Sequence, residues 1–444
     1  MNNIPVIQVG IQFKPTIEFT LVGTYQTQTG EKLTGRWKTE INNGAIQLHK
    51  ELRTLELPAG STLLPENPED SQFTLHNVTI GINFHWERDE DQTFKGGLKL
   101  LIEEGKISAI NILPLEDYLM SVISSEMSAT SSQELLKAHA VISRSWLLAQ
   151  IEKNKALQSG SKNYQSLHQT ETERIKWYDR EDHANFDVCA DDHCQRYQGI
   201  TRANTPMVVQ AVKETWGEVL TDDGAICDAR FSKCCGGMVE VFENVWEPVN
   251  HPYLQKVVDN DQNPKGYPLD LQNEPAAERW ILGKPDAFCN TTDKEVLSQV
   301  LNDYDQETND FYRWSVSYEQ HELSELIKKR TGIDFGTIQE LIPVERGGSS
   351  RLIKLKIVGD KKTMIIGKEL EIRKALSPSH LYSSAFVVTK TEQEEKVTFT
   401  LRGAGWGHGV GLCQIGAAVM GAKGYSYDAI LMHYFKGASL EKKY

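Results

Sequence analysis

Glu126 sits where a leucine would be expected. Residues 115–127 read LEDYLMSVISSEM. On a helical wheel of about 100° per residue, Leu115, Leu119, Val122 and Ile123 share one arc with Glu126 in its middle. Asp117, Ser121, Ser124 and Ser125 fall opposite. A carboxyl group in an apolar setting has its charged form disfavoured, which raises its pKa. A glutamic acid that keeps its proton near neutral pH can protonate a leaving oxygen in glycosidic cleavage. The alternative is a helix that frays before Glu126 and lets the side chain reach water.

Three other stretches could carry chemistry. In GAGWGHGVGLCQIGA, residues 403–417, glycine at every second place permits a tight backbone and a close ligand. If the segment is extended, Trp406 and His408 point the same way, and Trp406 could serve as a platform for the apolar face of a sugar. No register of this run gives GxGxxG, so a dinucleotide fingerprint is excluded. In FSKCCGGMVE, residues 231–240, vicinal Cys234 and Cys235 precede two glycines. Either thiol with His408 would make a thiolate–imidazole pair. In HANFDVCADDHCQRY, residues 183–197, His183, Cys189, His193 and Cys194 lie within twelve residues. Two thiolates and two imidazoles match a closed, structural tetrahedral zinc site.

These residues need a scaffold, and the pattern gives an α+β one. Residues 1–104 carry short β-branched and aromatic runs separated by turns, an antiparallel β-rich N-terminal domain. Residues 105–444 form a mixed region that contains a helical hairpin over 114–155, on which Glu126 is carried. Ser131 to Glu134, SSQE, has capping-box spacing ahead of the second helix. Residues 156–187 read as polar loop, TPMVVQAVKETWGEVL as a helix, and 274–340 as an acidic, mostly helical insertion. RLIKLKIVG and KVTFTLRG alternate as strands, and LCQIGAAVMGAKG reads as a helix closed by Gly424.

Composition narrows the function classes. The 444 residues carry a formal net charge of −13, with 39% hydrophobic and 25% charged residues. That balance argues against a nucleic-acid partner, which needs a basic footprint. No apolar run is long enough to span a bilayer. The start, MNNIPVIQVGIQF, shows no signal-peptide pattern. Seven cysteines in so long a chain do not make a disulfide scaffold.

LPLEDYLMSVISSEMSATSSQELLKAHAVISRSW, FSKCCGGMVEVFENVW, RLIKLKIVG and GAGWGHGVGLCQIGAAVMGAKGYSYDAILMHYFKGASL follow one another in an order that resembles the stage II sporulation protein D family, also called SpoIID/LytB. The resemblance runs from about residue 105 to the C-terminus. Here EMS stands for the family's EMP, KAHA for KAQA, and SKCC replaces a serine with cysteine.

The resemblance implies a lytic transglycosylase that cuts peptidoglycan between N-acetylmuramic acid and N-acetylglucosamine, with Glu126 as acid and base. Neutral Glu126 would protonate the glycosidic oxygen and then take the proton of the muramic C6 hydroxyl as that oxygen attacks C1. The product is a 1,6-anhydro ring, and no water is consumed. Other family members imply a non-catalytic amidase enhancer, with a cell-wall amidase as partner. Arg144, Tyr197, Ser232, Cys234, Trp406, His408 and Gln414 are the expected sugar-binding residues. DVC…HCQ.Y also resembles members that hold zinc near the cleft. A peptidoglycan substrate implies action in the cell envelope.

Overall fold

Alternation in the first hundred residues becomes strand pairing in the computed structural model, which describes residues 4–81, 87–128, 130–158, 166–177, 183–191, 194–201, 205–300, 311–394 and 396–444. Among the described residues eleven strands join one sheet. The strand Val6–Lys14 buries Ile7 and Val9 completely and leaves Val6 exposed, as a period of two requires. It pairs antiparallel with Lys106–Pro114, from Val6↔Pro114 to Lys14↔Ile107, with a bulge between Gly10 and Gln12. Its other edge takes the short strand Val188–Cys189 in parallel, opposite Val9 and Gly10. The cysteine-bearing loop is thereby docked on the N-terminal sheet.

The expected division after residue 104 falls in the turn between Gly97–Glu103 and Lys106–Pro114, which are antiparallel neighbours. A single apolar core runs from Ile7 through the helical hairpin to Ala438. A second, smaller core gathers residues between Trp314 and Leu401. The α+β class holds, with a β-rich N-terminal part.

Among the described residues the helices are α1 (Leu115–Glu126), α2 (Gln133–Gln158), α3 (Pro206–Glu214), α4 (Glu274–Leu282), α5 (Lys294–Val300), α6 (Gln320–Thr331), α7 (Glu369–Ala375), α8 (Gln414–Ala422) and α9 (Tyr427–Tyr434). The expected hairpin is α1 and α2, but its cap differs. Ser132 caps α2, accepting from the Leu135 amide at 3.3 Å. Ser131 instead donates to the Gln299 carbonyl at 2.8 Å, and Glu134 turns to Lys137 and the Tyr427 amide. The capping box gives way to tertiary partners on α5 and α9.

Three other expectations shift. The helix over TPMVVQAVKETWGEVL stops at Glu214, and EVLTD forms the strand Glu218–Asp222. Residues 156–187 hold two short strands, Leu167–Gln169 and Glu173–Lys176. The acidic stretch 274–340 carries α4, α5 and α6, as expected, and a strand besides. Its strand Arg313–Glu319 pairs with Lys396–Ala404 from Arg313↔Ala404 to Glu319↔Thr398, which ties it into the second core.

Candidate functional site

The helix runs through to Glu126, its last residue. Leu115, Leu119, Val122 and Ile123, which share its face, are all 0% exposed. The solvent side of α1 is the opposite one, where Asp117 is exposed and Met120 and Ser124 are half-buried. Glu126 is nevertheless only half-buried. Its partial exposure thus comes at the C-terminal end of the helix, on the apolar side. Among the described residues its carboxylate makes no hydrogen bond or ion pair. It lies in a last turn without any basic residue, at the negative end of the helix dipole.

The turn beyond Glu126 is fastened to α5. Ser128 donates its amide to the Gln299 carbonyl at 2.9 Å, and the Ser132 amide donates to the Gln299 side chain at 3.1 Å. The next residue of α5, Val300, accepts from Lys233 Nζ at 2.6 Å. The end of α5 thus ties the Glu126 turn to the segment that carries Ser232 and the vicinal cysteines.

On the sheet side, Tyr118 is buried in reach of both Glu126 and the thiols. Burial, followed by the charges of Cys194, Cys189, Tyr197 and Glu126, pushes its hydroxyl well above the usual tyrosine range. His183 Nε2 is 3.5 Å from Cys194 Sγ, and the Cys189 amide donates to the same sulfur at 3.4 Å. One ligand atom each from His183, Cys189 and Cys194 lies within 4.8 Å of the others. All three residues are half-buried. The fourth expected ligand, His193, lies outside the described residues. A soft donor set of this kind fits zinc.

The glycine run is not extended. Gly405, Gly407, Gly409 and Gly411 all have positive φ, so Trp406 and His408 do not share a face. Trp406 packs on Phe311 and Tyr382, with ring centroids 4.7 and 4.3 Å away. His408 sits edge-on to Trp246 at 4.5 Å, and its Nδ1 accepts from the Val410 amide at 3.0 Å. Burial, then the guanidinium groups of Arg230, Arg373 and Arg351, hold its imidazole neutral. The close approach that glycine allows here is that of the protein itself. A Cβ at Gly409 would fall inside the Arg351 guanidinium, and one at Gly411 on the Arg230 carbonyl.

Five of the expected sugar contacts turn out to be interior residues. Arg144 is 0% exposed and forms a bidentate pair with Glu116, at 2.9 and 2.7 Å. Its third arm donates to the Glu218 carbonyl. Tyr197 is stacked on Tyr118 at 5.1 Å and donates to Asn111 at 2.6 Å. Gln414 is 2% exposed, and its amide faces His139 Nε2 at 3.2 Å. Burial, with Lys233 nearby, lowers the His139 pKa to about 3. Cys234 is 0% exposed, with its backbone bridged to Trp406 and its thiol facing Cys289 and Cys413. No thiol meets His408 among the described residues, so the geometry lacks a thiolate–imidazole pair. Ser232 is 6% exposed, and its hydroxyl has no partner among the described residues. Periodicity missed Glu116 and Tyr118, whose burial depends on elements distant in sequence.

Comparison with known proteins follows this geometry. Residues 103–221 match the model of the stage II sporulation protein (SpoIID) family, and residues 240–411 match a domain of unknown function, DUF8618. The chain is 23% identical to the stage II sporulation protein D of Bacillus subtilis over 342 residues, covering 75% of this chain and 76% of that one. Residues 103–221 thus carry a SpoIID-family domain. It is also 25% identical over 350 residues to an uncharacterised protein of Brachyspira hyodysenteriae, covering 78% and 72% of the two chains. Its match to the amidase enhancer of Bacillus subtilis is 27% identical over 251 residues, 52% of this chain but only 32% of that longer protein. Within the SpoIID match lie Glu126, Tyr118 and the His183–Cys189–Cys194 loop. Trp406 and His408 fall within the second match, and Ser232 between the two.

Proposed function

We propose that this protein cuts the glycan strands of peptidoglycan by transglycosylation, with Glu126 as its single acid and base. One observation carries the reading. On a helix face whose other members are wholly buried, Glu126 alone keeps contact with solvent, and its carboxyl group is engaged by no hydrogen bond or ion pair among the described residues. A carboxyl group presented from an apolar wall is suited to give and retake one proton. The protonated carboxyl gives its proton to the glycosidic oxygen as the bond to the muramic C1 breaks. The resulting carboxylate takes the proton of the muramic C6 hydroxyl, whose oxygen closes on C1. One carboxylate suffices because the nucleophile belongs to the substrate, unlike the paired carboxylates of ordinary glycosidases. Half-buried Trp406 and neutral His408 remain as sugar-holding groups. Such a substrate puts the protein's work in the cell envelope.

His183, Cys189 and Cys194, with His193 as fourth ligand, are assigned a structural zinc. When bound, it would cross-link this loop on the sheet edge beside Tyr118.

A second reading, stimulation of a cell-wall amidase without glycan cleavage, draws its support from the similarity to the amidase enhancer. Digestion of purified sacculi separates the two. The expected wild-type products are 1,6-anhydro-muropeptides, each one water lighter than a hydrolysed chain end, and Glu126→Gln should release none. Hydrolysed reducing ends, or undiminished release by the variant, would overturn the transglycosylase reading. Equal stimulation of an added amidase by both proteins, with no glycan product from either, would favour the enhancer.

A further inference from the structure

A second group of metal-binding side chains lies in the interior, at the N-terminal end of α8. One ligand atom each from Cys235, Asp259, Cys289 and Cys413 lies within 4.8 Å of the others. None of the four residues is more than 2% exposed. They arrive from four separate segments, with Cys235 and Cys413 178 positions apart.

The sulfur spacing is not that of a disulfide. Cys235 Sγ and Cys289 Sγ are 3.6 Å apart. A disulfide would need about 2.05 Å. A tetrahedron with metal–sulfur bonds of about 2.3 Å has sulfur–sulfur edges of about 3.8 Å. Cys413 precedes the first turn of α8, and its sulfur accepts the Cys235 amide at 3.2 Å. Both features favour a thiolate.

The Asp259 carboxylate is aimed from behind. Oδ1 accepts from the Tyr434 hydroxyl at 2.6 Å and Oδ2 from the Cys289 amide at 2.9 Å, the outer-shell support typical of a metal ligand. Gly416 leaves room for this arrangement, since a Cβ there would strike both Asp259 and the Tyr434 hydroxyl. No lysine or arginine pairs with Asp259 among the described residues. A buried carboxylate without a counter-charge is costly. A divalent cation would offset that cost.

We propose that Cys235, Cys289, Cys413 and Asp259 bind one zinc ion in a closed structural site, separate from the His183 loop. Three thiolates and one carboxylate select a soft, tetrahedral cation, and four protein ligands leave no open position. The ion would join the start of α8 to three segments behind the glycine run.

The test uses full-length protein purified without added metal. Cys189→Ser disables the loop site and leaves the interior one. This variant should keep about one zinc per chain by elemental analysis and release it to a metallochromic dye only on unfolding. With cobalt in place of zinc, it should show the strong thiolate charge-transfer bands of a cysteine-rich site. Adding Cys289→Ser should remove the metal. If that double variant does not fold, release from unfolded Cys189→Ser decides alone. A folded Cys189→Ser protein without metal would overturn the proposal, as would a mass lowered by disulfides among these cysteines. Wild-type protein with one zinc per chain, all of it kept by Cys189→Ser, would count against the loop assignment and leave this one standing.

Discussion

The two glutamates at opposite ends of α1 have contrasting surroundings. Glu116, in the first turn, is 0% exposed and fully engaged. It holds Arg144 bidentately, accepts from the Tyr444 hydroxyl at 2.6 Å and receives the Gly217 amide at 3.4 Å. Glu126, in the last turn, is half-buried and makes no hydrogen bond or ion pair among the described residues. The same residue type on one helix is thus fixed at one end and available at the other. A buried, fully partnered carboxylate maintains the fold, because removing it strands its partners. A carboxylate left without partners contributes little to stability and can exchange a proton with a ligand.

The contrast can be broken most sharply at Glu116. Glu116→Ala should cost about 3–5 kcal/mol, because Arg144 then stays buried without its counter-charge. Urea unfolding would read the loss. Glu116→Leu with Arg144→Met should recover most of it, since an apolar pair of similar volume replaces a buried ion pair at little net cost. A Glu116→Ala protein as stable as wild type would remove the basis of the comparison.

Glu126→Gln is the next largest effect, and it should fall on rate alone. The expected loss is at least about 10²-fold, or about 2.7 kcal/mol in barrier, with stability unchanged within about 0.5 kcal/mol. Matched melting curves and muropeptide release rates would check both halves. A large stability loss would mean that Glu126 has a structural role after all.

The smallest effect sharpens the Glu116 side. Tyr444→Phe removes one hydrogen bond to a charged group and should cost about 1.5 kcal/mol, with glycan cleavage by the folded protein unaltered. Chemical denaturation of the purified variant would measure it.

The sequence made one of these glutamates legible and not the other. The apolar arc of α1 is local, so Leu115, Leu119, Val122 and Ile123 identify themselves as interior, and Glu126 stands out among them. Glu116 does not, because the atoms that cover it come from α2, from Gly217 and from Tyr444. A wheel describes one helix and not what packs around it. The same reason hides the burial of Arg144, which the resemblance offered as a sugar contact: Glu116 and the Glu218 carbonyl cover it from outside its own helix.

Cysteines divide the same way. His183, Cys189 and Cys194 sit close enough in sequence for spacing to expose them, whereas Cys235, Asp259, Cys289 and Cys413 meet only once the chain has folded. Strand alternation placed the N-terminal sheet, but no local rule could say that Arg313–Glu319 would pair with Lys396–Ala404.

The glycine run has a consequence for the order of assembly. Gly405 lies against the backbone of Cys234 and Cys235, Gly409 against the Arg351 guanidinium, and Gly411 against the Arg230 carbonyl. Each of these contacts joins residues far apart in the chain, and contacts of that kind form late. The loop can close only over neighbours already in position. Its amides should therefore exchange with solvent only through the largest opening motions. The loop is then a late part of the molecule to take shape, and until it closes, Trp406 and His408 are not held in place.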